Sequence, residues 1–388
     1  MSMKKILIIP GSAVGIGPEV ILPVKTILNS LGTYECVTYE EVGKIANFSR
    51  ATEEMRKYYE RHLGKEPDFS KYKPINYYLI DGLIKKYLFS KDPAEKSEYN
   101  ECKYRGISQE LKNAVKESAA CLFGSIDNPD GMYLLFWFRM GLELFANVRP
   151  AKAYSNVPSL NNKIDLVIVR ENTEGLYSGM EYSKSDAVLA VRLLTKKGVE
   201  RIIHFAFNYT ATRKSKGSKG ELICVDKSNA LPITDGYFRS QFRSIAKQYP
   251  TIRTREWYVD RTALELIRAP ETIDVIVTTN LYGDILSDES AALVGGLGMV
   301  PSCQIGLNYA LFEPVSGTAP DIAGKNIANP IAALFSTVMM LEYLKEERQA
   351  KALEAAILRF LREGRDFTPD LGGKGTTTGV FNKILSYL

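Results

Sequence analysis

Residues 273–288 read IDVIVTTNLYGDILSD, and the way this stretch is parsed decides the fold. Ile273 to Val277 is a near-continuous apolar run, as a strand buried on both faces requires. Thr278, Thr279 and Asn280 end it, Leu281 to Gly283 read as a short loop, and a helix is expected from Asp284. Asp284 and Asp288 are four apart, so their carboxylates share one face of that helix. Acids just past the C-terminal end of a parallel-type strand stand where α/β proteins place ligands. A hard cation, Mg²⁺ or Mn²⁺, would reconcile two such carboxylates. Two solvated acids favoured by the helix dipole would account for them as well, and the stretch alone leaves both readings open.

Outward from this unit, strands and helices alternate. KKILII (4–9), IDLVIV (164–169) and a third run from Glu221 that ends at Asp226-Lys227 read as further strands. Helices are expected over 20–31, 50–63, 75–89, 107–118, 132–146, 186–213, 234–249 and 331–363, with one more in the tail 376–388. That alternation predicts an α/β fold with a mostly parallel sheet. The turn PGSAVGIGPEV carries Gly11, Gly15 and Gly17, but not at the G-x-G-x-x-G spacing. Residues 44–105 are rich in Lys, Arg, Glu and Tyr and read as an insertion. Their aromatics fall at helical spacing among interspersed acids, which disfavours a nucleic-acid role.

At 388 residues the chain exceeds one ordinary core, so two domains are expected. No apolar run approaches the roughly 20 residues of a membrane span. The start, two lysines and a short apolar run into Pro10-Gly11, reads as a first strand and turn rather than a signal peptide. Five scattered cysteines without CxxC spacing read as reduced thiols, giving an expectation of a cytoplasmic protein without a zinc site. Only His62 and His204 are present, which argues against histidine chemistry. The net charge of +5 suits anionic substrates without requiring them.

Three arginines stand out. Arg139 interrupts MYLLFWFRMGLELFA, which is apolar nearly all round, and a buried arginine needs an anion. Arg149 precedes a proline, and Arg170 ends strand 164–169. Guanidinium groups pair bidentately with carboxylates. The set therefore suits a multi-carboxylate substrate, or three separate ion pairs.

Seven segments in order then carry a resemblance: IGPEV (16–20), ELFANVRPAK (143–152), VRENTEGLY (169–177), VDKSN (225–229), YVD (258–260), GDILSD (283–288) and GTAPDIAGKNIANP (317–330). The chain resembles the β-decarboxylating dehydrogenases, the isocitrate and isopropylmalate dehydrogenase family, and most of all its 3-isopropylmalate-dehydrogenase-like members. The resemblance implies a two-domain fold that is not a Rossmann fold. Its large domain would comprise 1–144 and 296–388, with the insertion at about 44–105, and its small domain 145–295 would carry the dimer contacts. It implies that Arg139, Arg149 and Arg170 grip the substrate carboxylates, with Leu135 and Asn229 also at the substrate. Tyr177 would protonate the enol, and Lys227 would assist removal of the hydroxyl proton. Asp260, Asp284 and Asp288 would bind Mg²⁺ or Mn²⁺, with Lys227 and Asp260 supplied by the partner subunit of a homodimer. The implied reaction moves hydride from C2 of a 2-hydroxy acid to a nicotinamide and releases the C3 carboxylate as CO₂.

Gly317, Ala319, Asp321 and Asn329 match the family's cofactor loop. An acid at Asp321 would repel a 2′-phosphate, so NAD is expected. The chain departs from the family pattern at Ser316, where relatives carry histidine, and in a first loop two residues longer. Tyr133, Leu135 and Phe136 read as an apolar wall before Arg139. Met132 replaces a nicotinamide-facing glutamate, and Ala230 a valine that touches the alkyl group. A third carboxylate would meet that wall unpaired, which favours a 3-alkyl or 3-unsubstituted malate. Isocitrate, homoisocitrate and tartrate- or malate-type substrates, and a non-catalytic regulatory member, are the alternatives.

Overall fold

The structure, a computed structural model, describes residues 4–32, 34–63, 101, 103–126, 128–183 and 186–388. The helix expected over 75–89 lies outside them. Twelve strands are described: β1 Lys4–Ile9, β2 Tyr34–Thr38, β3 Ala120–Phe123, β4 Ala146–Lys152, β5 Asp165–Glu171, β6 Glu181–Ser183, β7 Val188–Ala190, β8 Glu221–Asp226, β9 Arg253–Tyr258, β10 Val275–Thr278, β11 Pro301–Ile305 and β12 Ala310–Pro314. Ten of them form one sheet in the order β2-β1-β3-β12-β11-β4-β5-β10-β8-β9. Pairing is parallel at both ends and antiparallel at β12/β11, β11/β4 and β4/β5. The expected α/β class with a mostly parallel sheet is therefore what the chain adopts, and the order is not that of a Rossmann sheet.

The sequence reading missed the antiparallel centre. β4 follows the expected helix 132–146, overlapping it only at Ala146, and no strand is expected there. The helix there runs only Pro129–Phe136, continues as a π-helical turn Trp137–Gly141, and gives way at Glu143, whose φ is +50°. Pro150 also disguises β4, because proline removes a ladder donor. β11 pairs with β4 only through Val148, so Pro150 lies beyond that ladder. The helix expected over 186–213 is Lys196–Ser215, started by Thr195, whose hydroxyl accepts from the Gly198 amide. Before it, β6 and β7 form a two-stranded arm, in which the β7 side chains are exposed. The helix expected from Asp284 begins at Asn280 instead and runs to Ala292.

The two faces of the sheet differ. On one, a single apolar core runs the width of the molecule, from Ile6 and Ile8 through Val148 and Val167 to Leu222, covered by helices such as Lys196–Ser215 and Ile331–Tyr343. On the other, the core is split in two. One part lies under β1, β3 and β12 with Phe123, Trp137 and Phe138. The other lies under β5, β8 and β10 with Ile168, Ile223 and Ile276. Side chains alternate along a strand. Asn147, Arg149 and Arg170 thus share the face of Ala151 and Ile168 and stand between the two half-cores.

Candidate active site

Parallel register sets Arg170, near the end of β5, beside Thr278 of β10. The helix Asn280–Ala292 starts just beyond and returns over Arg170. Arg170 is 1% exposed, and its Nε and Nη2 donate to Asn280 Oδ1 at 3.0 and 2.6 Å. Its Nη1 donates to Asp284 Oδ1. Tyr177, on the 3₁₀ turn Leu176–Ser178, donates its hydroxyl to Asp284 Oδ2 at 2.8 Å. Arg149 Nη1 donates to Ser287 Oγ at 2.7 Å and Asp288 Oδ1 at 3.1 Å and lies 3.5 Å from Asp284. Asp284 is thus the point on which Arg149, Arg170 and Tyr177 converge. Burial alone would raise its pKa, but the charges of Arg170 and Arg149 hold it below the usual carboxylate range. Asp288 is shifted the other way by burial, against Arg149 and with Asp284 adding to the rise. Burial and then the Asp284 hydrogen bond raise Tyr177, so its phenol is neutral and able to donate a proton.

Arg139 lies on the π-helical turn, a local geometry concentrated at functional sites. Its Nε donates to Gln304 Oε1 at 3.0 Å, and Glu313 is 3.9 Å away. Gln304 also accepts from Asn172 at 2.8 Å. The partners of Arg139 are therefore on β11 and β12, whereas those of Arg149 and Arg170 are on the helix Asn280–Ala292.

Lys227 and Asp260 form a separate ion pair at the ends of β8 and β9. Among the described residues no hydrogen bond or ion pair joins it to Asp284 or Asp288, and no three acid, histidine or cysteine side chains gather in a metal-binding cluster. Asn229 is exposed beside Lys227. Leu135 is 8% exposed and packed in the half-core with Tyr133 and Trp137. On a helix apolar all round, periodicity does not say which face meets a pocket. Met132 and Phe136, four apart and both half-buried, form the more accessible stripe leading to Arg139.

The loop after β12 is pinned to the first turn of the chain. Ile16 N donates to Thr318 O at 2.9 Å, and Gly324 N donates to Glu19. A Cβ on Gly15 would stand 2.9 Å from Thr318, so the two loops meet closely only with glycine there. Ala319 adopts φ +40°. Asn329 donates to Asp370 at 2.9 Å. Gly317 and Asp321 are exposed, and among the described residues the Asp321 carboxylate has no hydrogen bond or ion pair, leaving it open to a hydroxyl donor.

The sequence profile of the isocitrate/isopropylmalate dehydrogenases matches residues 84–384. The chain belongs to the isocitrate/isopropylmalate dehydrogenase family. The 3-isopropylmalate/3-methylmalate dehydrogenase of Methanocaldococcus jannaschii is 44% identical over 281 residues, 72% of this chain and 84% of that protein. The homoisocitrate dehydrogenase of the same organism is 42% identical over 298 residues, 73% of this chain and 84% of the relative. The crystal structure of isocitrate dehydrogenase from Methylococcus capsulatus superposes with a TM-score of 0.76 at 30% identity, covering 99% of both chains. The chain is accordingly an enzyme of oxidative decarboxylation, in a family that acts on small hydroxy acids with a divalent metal and NAD or NADP.

In this dehydrogenase, Asn280, Ser287, Gln304 and Glu313 hold the three arginines, and the sequence reading overlooked all four. Asn280 was the one most open to detection, as a polar residue closing an apolar strand. Gly283 explains how the helix comes so near: a Cβ there would lie 2.6 Å from Cβ and Cγ of Arg170. Gly283→Ala is expected to displace Arg170 and lower kcat/KM by about 10²-fold, since misplacement of about an ångström costs that much. Steady-state kinetics beside a thermal melt will separate this loss from unfolding.

Glu174, 7% exposed, buttresses the Tyr177 turn and accepts from Thr195 N and Oγ1 at 3.1 and 2.8 Å. Burial, and then the neighbouring Glu171 charge, push its pKa up to about 7. An acid with a folded pKa above its unfolded value of about 4.3 favours the fold while protonated. That contribution is lost as pH rises through 7. The loss begins above the unfolded value, so Glu174→Gln should match the parent near pH 4 and melt progressively higher than it toward pH 8; a difference independent of pH would refute this account.

Proposed function

We propose that this dehydrogenase catalyses the NAD-dependent oxidative decarboxylation of a 3-substituted malate to a 2-oxo acid, at sites shared between the subunits of a homodimer. The convergence of Arg149, Arg170 and Tyr177 on Asp284 carries the reading. It sets cationic carboxylate grips, a neutral phenol and a helix-borne acid pair in one cleft. Arg139, Arg149 and Arg170 hold the substrate carboxylates, and Met132 and Phe136, with the buried Leu135 behind them, offer the C3 substituent an apolar surface. Asn229 lies beside the proton acceptor Lys227, which takes the proton from the C2 hydroxyl, and Tyr177 returns a proton at C3 after CO₂ has left. NAD held at the Asp321 loop would supply the hydride acceptor, and a divalent cation held by the aspartates would supply charge compensation at the C2 oxygen.

Asp284 and Asp288, with Asp260 of the partner subunit, would hold that cation. An all-oxygen donor set suits Mg²⁺ or Mn²⁺. Sharing is supported by the separation of the Lys227–Asp260 pair from Asp284 within one chain. It is also supported by exposed apolar side chains on the arm and nearby helices, Val188, Leu189, Ile233, Leu264, Ile267 and Ile285. NAD preference rests on the unpaired Asp321, with Gly317, Ala319 and Asn329 shaping the same loop. We further propose the division into 1–144 plus 296–388 and 145–295, which meet in the sheet at β11/β4, and a cytoplasmic setting. Among the described residues no helix is long and apolar enough to cross a membrane.

The test is reduced-nicotinamide formation at 340 nm with Mg²⁺, for NAD and NADP in parallel, over malate, tartrate, 3-methylmalate, 3-isopropylmalate, isocitrate and homoisocitrate. An alkylmalate turned over best with NAD is the expected result. Isocitrate or homoisocitrate as best substrate would overturn the apolar-surface argument, and faster turnover with NADP the Asp321 argument. Mixing Lys227→Met chains with Asp284→Asn chains, followed by subunit exchange, should restore activity if the sites are shared. Each mixed dimer then keeps one intact site.

A further inference from the structure

A second polar centre lies outside the Asp284 cluster. Asp235 is fully buried in the first turn of the helix Thr234–Ala246. Its Oδ2 accepts from the backbone amide of Lys227 at 2.7 Å and from the Tyr282 hydroxyl at 3.2 Å. Its Oδ1 faces Arg192 Nη2 at 2.9 Å. Arg192, two residues past β7, also donates to Thr279 Oγ1 at 2.6 Å and to the Tyr282 hydroxyl at 3.1 Å, and lies 4.7 Å from the centre of the Tyr282 ring. Thr279 and Tyr282 flank the start of the helix that carries Asp284 and Asp288.

The Lys227 side chain needs such support. It extends from a strand end, and its ion-pair partner Asp260 is largely exposed, so that contact alone fixes little. What fixes Lys227 is its backbone, and the buried carboxylate bonded to its amide is Asp235. A buried charge of this kind persists only when paired and hydrogen-bonded. Arg192 supplies the pairing and links it to the arm.

We propose that Asp235 is the positioning residue for Lys227, and that Arg192 makes this position depend on the β6–β7 arm and on the head of the Asp284 helix. The proposal rests on the shared-site reading. Under that reading Asp235 acts on the partner subunit's active site, although it touches the helix that builds its own.

Two double variants test it without leaving a lone buried charge. Asp235→Asn with Arg192→Met keeps an acceptor for the Lys227 amide, whereas Asp235→Val with Arg192→Met removes it. The valine pair should lose about 10²-fold in kcat relative to the asparagine pair, the scale of loss that a misplaced catalytic group causes. KM for substrate and for NAD should change little. Equal kcat values in two folded double variants would overturn the proposal.

Mixed dimers then locate the effect. Valine-pair chains mixed with Asp284→Asn chains form a working site from the valine-pair Asp284 and an intact Lys227, so the turnover of that site should be restored. Mixed with Lys227→Met chains, they should remain slow. A slow site in the first mixture would mean that Asp235 acts through Tyr282 within its own chain, which overturns the assignment to Lys227. If Lys227→Met and Asp284→Asn chains fail to complement each other, the shared site itself is wrong. The kcat comparison of the two double variants then decides on Asp235 alone.

Discussion

Asp284→Asn is expected to lower kcat by about 10³-fold or more, because one substitution removes the charge on which the site converges. Tyr177 and Arg170 donate to Asp284, and Arg149 lies 3.5 Å away. Asparagine keeps the shape and one acceptor oxygen. It leaves the arginine cluster without that counter-charge and weakens the acid pair. Mn²⁺ affinity, read by calorimetry, should fall with kcat. The melt adds an independent check. The folded pKa of Asp284 lies below its unfolded value of about 3.9, so its stabilisation is present above that pH and lost as pH falls through the folded value. The variant should therefore show a flatter acid limb in a plot of Tm against pH. A variant that kept its kcat would show that Asp284 is only a structural counter-ion.

Arg170→Met is expected to damage fold and activity together. The guanidinium is buried and donates to Asn280 and Asp284, so truncation strands both acceptors. Breaking a buried pair on one side costs about 3–5 kcal/mol, and Tm should fall by on the order of 10 °C. Arg170→Lys separates the two losses. Lysine restores a charge toward Asp284 but has no planar fork to reach Asn280 as well. Most of the stability should return while kcat/KM stays down by about 10²-fold. Recovery of both in Arg170→Lys would mean that charge suffices and the fork does not matter.

The buried parallel strands β5, β8 and β10 were legible because each is a short apolar run ended by polar residues. Arg170 near the end of β5 and Lys227 just past β8 could be located in the fold for the same reason. The antiparallel centre was not legible. β4 and β11 are separated by about 150 residues, and a local window carries no sign of a partner so distant. Pro150 also argued locally against any strand. β7 falls within the expected helix 186–213 because its exposed apolar residues answer to no core within the chain. That Met132 and Phe136 are the more accessible side of the apolar helix was not legible, because composition reveals that a helix is apolar, whereas only packing reveals which side is covered. Asn280 was overlooked because a helix start placed at Asp284 left it at the strand's end, without the turn that returns it over Arg170.

The unequal faces of the sheet have a mechanical consequence. One face is backed by a core continuous across the molecule, while the other is split where the arginines stand. Any parting of the two sides would be that of the covers of a book, with the unbroken core as the binding and the cleft as the fore-edge. The spine is the ladder Cys303–Val148, Gln304–Asn147 and Ile305–Ala146. Gln304 in that spine holds Arg139. Under the proposed function Arg139 is one of three carboxylate grips, so any opening of the covers would pull on a grip and loosen the hold on the product in the same movement.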